Sequence, residues 1–154
     1  MKKLLLALII TLGALTSQAQ EIKWMSMDEA LTAQKKKAKP IFMDVYTDWC
    51  GPCKMLDKKT FHDPEVVKYI NDNYYAVKFN AESNSEVNYK GKKYTNPQYD
   101  ANRKGRNAQH EFAELLGIRA YPTMMVFDAR GAMKEPIVGL YEPAQLLELL
   151  QKQK

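Results

Sequence analysis

Cysteine is nearly absent from this chain of 154 residues, in which Cys50 and Cys53 are the only two. That scarcity excludes a disulfide framework of the kind that staples small secreted folds. A bridge between residues three apart closes too short a loop to constrain the unfolded chain much. A pair that staples nothing is better suited to react. Histidine is equally scarce, with only His62 and His110, and a second paired cysteine motif is missing. If a helix runs from the cysteines to Thr60, His62 lies roughly 13 Å along from Cys53 at ~1.5 Å per residue. Ligation at ~2 Å would then require a sharp chain reversal, which argues against a zinc site. Haem attachment needs histidine directly after the second cysteine, where Lys54 stands instead.

Long apolar runs are also lacking. Leu4 to Leu15, interrupted by Thr11 and Gly13, falls short of the roughly 20 apolar residues of a membrane span. With Lys2 and Lys3 before it and the small residues of Ser17-Gln18-Ala19 after it, the stretch reads as an export signal over residues 1–19, cut after Ala19 or Gln20. No cysteine near the cut offers a lipid attachment point. The expectation is a single domain over 20–154, released into the periplasm or secreted, with no stable membrane insertion after cleavage.

The formal net charge is +5, and +3 without Lys2 and Lys3. All of that +3 sits in one stretch, Glu82 to Asn107, which holds Lys90, Lys92, Lys93, Arg103, Lys104 and Arg106 against Glu82, Glu86 and Asp100. A charge so local, on an exported chain, does not point to nucleic acid despite a pI near 9.1.

The order of elements follows from caps and periods. Ser26-Met27-Asp28-Glu29 has the form of a capping box, opening a helix through Ala30, Leu31 and Ala33 that ends in Lys35-Lys36-Lys37. Ile41 to Tyr46 reads as a buried strand apart from Asp44. The Cys50-Gly51-Pro52-Cys53 segment opens a second helix, with Pro52 acceptable in the first turn, and Asp63-Pro64 caps a third through Val66, Val67 and Ile70. Tyr74 to Phe79 is a strand. Asn107 is expected to cap a helix through Phe112, Leu115 and Leu116, stopped by Gly117. Strands at Thr123–Phe127 and Met133–Val138 flank a turn at 128–131, and Pro143 begins a closing helix. The pattern predicts an α/β domain, a mixed sheet with helices on both faces.

Only a thiolate attacks a disulfide. At a helix N-terminus, unpaired N–H groups and the dipole favour negative charge, so Cys50 is expected to be the attacking thiol, with a pKa of ~7 or below. Cys53, one turn later, would resolve the mixed disulfide and should be the less exposed of the two. Asp44 interrupts an apolar strand six residues before Cys50. It is either an edge-strand aspartate facing water or a buried acid of raised pKa that takes the Cys53 proton, with Lys78 as its partner.

Phe42 to Lys54, with Trp49-Cys50-Gly51-Pro52-Cys53 at its heart, resembles the active-site strand and helix of the thioredoxin superfamily. Val77-Lys78-Phe79-Asn80 resembles the next strand of that family, Gly117 to Thr123 its cis-proline loop, and Gly139 stands in the place of its late glycine. Lys39-Pro40, Asp48-Trp49 and Thr60 to Val66 are closer still to the thioredoxin-like C-terminal domain of the membrane thiol:disulfide interchange proteins. The resemblance implies the thioredoxin fold, a cis Pro122 against the disulfide, and a Tyr121 backbone that pairs with an extended substrate segment. It makes Asp44 and Lys78 the buried acid and its partner, and Trp49 a shield for the sulfurs.

Gly51-Pro52 matches the more reducing members, at ~−270 mV. The function implied is an exported protein-disulfide reductase whose cofactor is its own Cys50–Cys53 pair, acting on disulfide-containing proteins and fed by a membrane electron donor. The alternatives are an oxidase or isomerase of the same fold, and a non-catalytic adaptor or metal-binding module. Two departures from the family stand out. Tyr46 replaces a tryptophan, and the stretch at about 82–107 is an insertion. The insertion is expected to be a solvated loop, with room for a small hairpin around Lys90-Gly91; the alternative is a partner-binding element that steers an acidic protein.

Overall fold

A computed structural model describes residues 20–153; the expected export segment at 1–19 lies outside them. Along the chain run β1 (Trp24–Met25), α1 (Met27–Lys36), β2 (Ile41–Tyr46), α2 (Gly51–Lys59), α3 (Pro64–Asn73) and β3 (Tyr75–Asn80). There follow β4 (Val87–Tyr89), β5 (Lys92–Tyr94), α4 (Glu111–Leu115), β6 (Thr123–Phe127), β7 (Ile137–Val138) and α5 (Pro143–Lys152). The capping box forms as expected. The Ser26 N–H donates to the Glu29 carboxylate at 2.7 Å, and the Glu29 N–H donates to the Ser26 hydroxyl at 3.3 Å.

β2 is the centre of a five-stranded sheet ordered β1-β3-β2-β6-β7. It pairs parallel to β3 and antiparallel to β6, so the sheet is mixed. Alternation along β2 sorts two cores. Ile41, Met43 and Val45 pack on one face with Ala30 of α1 and Phe112 of α4. Phe42 packs on the other with Leu56 of α2, Val66 and Ile70 of α3, and Leu146 and Leu150 of α5. Asp44 shares the parity of Phe42. A strand enclosed on both sides and both faces cannot hold an edge aspartate, so the water-facing reading of Asp44 is excluded, and the residue is 1% exposed.

Three expectations need correction. The insertion is not simply a solvated loop. β4 and β5 form the hairpin, joined through Lys90 at φ +49° and Gly91 at φ +76°, the positive-φ pair that suits a two-residue turn between twisted strands. Val87, Tyr89 and Tyr94 are buried. The Tyr89 ring meets Phe112 and Phe127 at 5.5 and 5.8 Å, and its hydroxyl donates to the Gly131 carbonyl at 2.7 Å. The apolar alternation was masked by the exposed Asn88, Lys92 and Lys93 between these anchors. Residues 97–106 are exposed, as a loop should be.

α4 is capped by His110 rather than Asn107. His110 Nδ1 accepts from the Phe112 N–H at 3.0 Å, so its Nε2 carries the hydrogen and donates to the Ser85 carbonyl at 2.8 Å. Asn107 instead ties the loop to Asp100, accepting from its N–H at 3.0 Å and donating to its carbonyl at 2.8 Å. Both ring nitrogens of His110 are thereby engaged. Lastly, the strand expected over 133–138 is only Ile137–Val138 plus an isolated bridge from Met133 to Phe127. Pro136 brings no N–H to the ladder and divides it. β1 was not anticipated, two residues being too few to show a period.

Candidate active site

The chain leaves β2 at Tyr46 and enters α2 at Gly51, with Cys50 in the capping position. Its sulfur accepts from the Cys53 N–H at 3.1 Å, and the first turn of α2 carries no acidic residue. No acid within that turn offsets the positive end of the helix, where a Cys50 thiolate gains both the hydrogen bond and the dipole. Pro52 lies in the first turn, where its missing N–H costs nothing, and Gly51 has open space around it. Cys50 and Cys53 are joined in a disulfide, with Sγ–Sγ 2.10 Å and Cα–Cα 5.3 Å.

The exposure of the two cysteines runs opposite to expectation: Cys50 is 2% exposed and Cys53 5%. Cys53 lines an open cleft of about 170 Å³ shared with Asp44, Thr47, Asp57 and Lys78. Cys50 instead adjoins Trp49, whose ring is held by three partners. It meets Tyr121 edge-on at 5.7 Å, its Nε1–H donates to Glu82 at 3.0 Å, and the Arg106 guanidinium lies 4.1 Å from its centroid. Trp49 is itself 38% exposed, so part of its ring is free to meet a partner.

Tyr121-Pro122 is a cis peptide. Pro122 is buried, and its carbonyl accepts from the Gly139 N–H at 3.0 Å. β6 begins only at Thr123, so Tyr121 stands outside the sheet ladders, beside Trp49. Of the expected substrate-side residues Trp49, Gly51, Pro52, Tyr121 and Pro122, Gly51 and Pro52 open α2 directly after Cys50, and the Trp49 ring meets that of Tyr121, the residue before Pro122.

Behind the disulfide lies the acid. Asp44 Oδ2 is 3.4 Å from Lys78 Nζ, while Oδ1 has no hydrogen-bond partner among the described residues. Burial pushes the carboxyl up to about 6, outweighing the pull of the Lys78 ammonium. The lysine cannot fully compensate because it is shared. It also bonds Asp57 Oδ1 and sits over the rings of Trp24, Tyr46 and Phe61 at 4.9, 5.4 and 5.5 Å. Asp57 was missed in the sequence, although it stands four residues after Cys53 on the same helix and so falls on the same face. Glu82 and Arg106, at the two ends of the insertion, stood out in the sequence only as part of its charge. Only the fold brings both to Trp49.

Among the described residues no cluster of three or more potential metal ligands occurs. The chemistry this arrangement supports is exchange between a dithiol and a disulfide, with a buried carboxyl lining the same cleft as the second sulfur.

Comparison with known proteins agrees. Residues 27–154 match the family model described as a thioredoxin-like domain. The chain is 30% identical over 132 residues to a thioredoxin of Acidithiobacillus ferridurans, covering 86% of this chain and 95% of that one. It is 29% identical over 108 residues to the thiol:disulfide interchange protein DsbD of Photorhabdus laumondii. That match covers 70% of this chain but only 15% of the much longer relative. In three dimensions, the oxidised C-terminal domain of Neisseria meningitidis DsbD superposes with a TM-score of 0.57 at 21% identity, over 85% of this chain and 99% of that one. Sequence, fold and site converge, and the chain belongs to the thioredoxin-like family of thiol–disulfide oxidoreductases.

Proposed function

We propose that this protein is an exported protein-disulfide reductase. The observation that carries the reading is Cys50 capping an N-terminus of α2 free of acidic residues, with Asp44 buried behind Cys53. In the reduced protein the Cys50 thiolate attacks a substrate disulfide, forming a mixed disulfide and expelling one substrate thiolate. Asp44, ionised above pH ~6, takes the proton of the Cys53 thiol across the shared cleft. The Cys53 thiolate then attacks Cys50 Sγ and releases the second substrate thiolate. The Cys50–Cys53 disulfide re-forms, and the substrate has gained two electrons. Lys78 holds the Asp44 carboxylate and stabilises its charge; the Tyr121 backbone beside Pro122 aligns the incoming segment by strand-like pairing.

Direction and place rest on sequence. Gly51-Pro52 supports reduction, and residues 1–19 support export to the periplasm with cleavage of the signal. Oxidised product outside the cytoplasm needs electrons from a membrane donor; the likeness to DsbD supports that pairing. An oxidase would use the same residues at a higher potential, so the potential decides. We expect the Cys50–Cys53 couple, equilibrated with glutathione or dithiothreitol buffers, to lie below about −230 mV. A value near −120 mV would assign the protein to oxidation instead.

A further inference from the structure

The two ends of the insertion close on the ring of Trp49, the residue before Cys50. Glu82 accepts from Trp49 Nε1 through one carboxylate oxygen and from the Asn107 N–H through the other, at 3.0 and 2.8 Å. Both oxygens are thus committed to holding the insertion against Trp49. Next to Asn107, Arg106 stacks on the Trp49 ring at 4.1 Å, and Tyr121 meets the same ring at 5.7 Å. Arg106, Trp49 and Tyr121 therefore form one continuous wall, with the substrate-aligning residue at one end and a guanidinium at the other.

The guanidinium is available. Arg106 is exposed and makes no salt bridge among the described residues. Arg103 and Lys104, also exposed, add to the positive side, and Asp100 spends its Oδ1 on the Asn102 N–H. Asp48, the other carboxylate next to Trp49, lines the cleft on the Lys78 side. Stacking fixes the plane of a side chain that is otherwise long and flexible, and its N–H fork is left to a planar acceptor.

We infer that Arg106 is a substrate-selecting residue, which favours polypeptides carrying a glutamate or aspartate beside the cysteine that Cys50 attacks. The segment aligned along Tyr121 and Pro122 then places that carboxylate on the Trp49-stacked guanidinium. This inference rests on the disulfide-exchange reading of Cys50, and its test separates the two.

Two peptide disulfides identical but for Glu or Gln beside the cysteine are each reacted with reduced protein, and the second-order rate constants are divided by those with dithiothreitol. The division removes the intrinsic effect of the neighbouring charge on the disulfide. At low salt the Glu peptide should react about three- to fivefold faster, the range of an exposed charge pair, and the preference should shrink as salt is raised. Arg106→Gln should abolish the preference and Arg106→Glu should invert it. Lys36→Gln, an equal loss of charge on α1, should retain it. Equal rates for the two peptides with the wild-type protein, or an Arg106→Gln variant that retains the preference, would overturn the role of Arg106. No reaction with either peptide would instead overturn the exchange chemistry itself.

Discussion

Cys53→Ser accumulates mixed disulfides through Cys50, where the wild-type protein shows almost none. The reason is the division of labour set by α2. Cys50 occupies the capping position, where its sulfur accepts a backbone hydrogen bond and meets the dipole of a helix whose first turn carries no acid. Attack on substrate needs only Cys50. Release needs Cys53, one turn on, and a serine hydroxyl there is too weak a nucleophile to displace it. Non-reducing electrophoresis of the variant incubated with oxidised protein, followed by mass spectrometry, should show covalent adducts on Cys50, whose partners are the substrates. Adducts should be absent when both cysteines are replaced. Failure of Cys53→Ser to form adducts, or adducts that survive loss of Cys50, would reverse the assignment of roles.

The second large effect falls on Asp44, where activity and stability should move in opposite directions. Its carboxyl is raised from 3.8 to about 6 by burial. A raised acid binds its proton more tightly in the native than in the unfolded state, so stability falls as pH rises through the window between those values. It stays lower above pH 6. A shift of about two units corresponds to a native-state cost on the order of 3 kcal/mol at neutral pH. Asp44→Asn removes the charge but leaves a buried amide with unmade hydrogen bonds, so a net gain of about 2 kcal/mol is expected at pH 7.5 and almost none near pH 4. Chemical denaturation of the oxidised protein at the two pH values checks this.

Turnover should respond the other way. Without a base behind Cys53 the resolving step slows by roughly a hundredfold, the lower end of the range for general acid–base groups. The wild-type rate should decline as pH falls through about 6, when the carboxylate is protonated and can no longer accept. Asp44→Asn should lose that inflection. An unchanged pH–rate profile in this variant would remove Asp44 from the mechanism, whatever its effect on stability.

What the sequence made legible was whatever is written locally. The Ser26 box, the Cys50-Gly51-Pro52-Cys53 helix opening, the Asp63 cap and the alternation around β2 each declare themselves within a few residues, and together they order the fold. The buried status of Asp44 was open from spacing alone, because an acid in a short apolar strand fits an edge as well as a centre. It became definite once β2 was flanked by β3 and β6. The sharing of Lys78 between Asp44 and Asp57 is a tertiary fact, joining β2, α2 and β3. So is the meeting of Glu82 and Arg106 at Trp49, residues 24 apart in sequence that the hairpin and its following loop fold back to one ring. The hairpin itself was half legible: its turn was visible at Lys90-Gly91, while the burial of Tyr89 and Tyr94 depended on Phe112, in a helix still to come. The exposure of the cysteines was misjudged for the same reason, since burial at 2% and 5% is set by the surrounding fold and not by position in the motif.

The central claim is that electrons pass to substrate through Cys50, and the reduction of insulin by dithiothreitol tests it most directly. The account predicts that the wild-type protein accelerates the precipitation of insulin chains and that Cys50→Ser, shown by circular dichroism to be folded, gives only the rate of dithiothreitol alone. Wild-type activity retained by Cys50→Ser would contradict it.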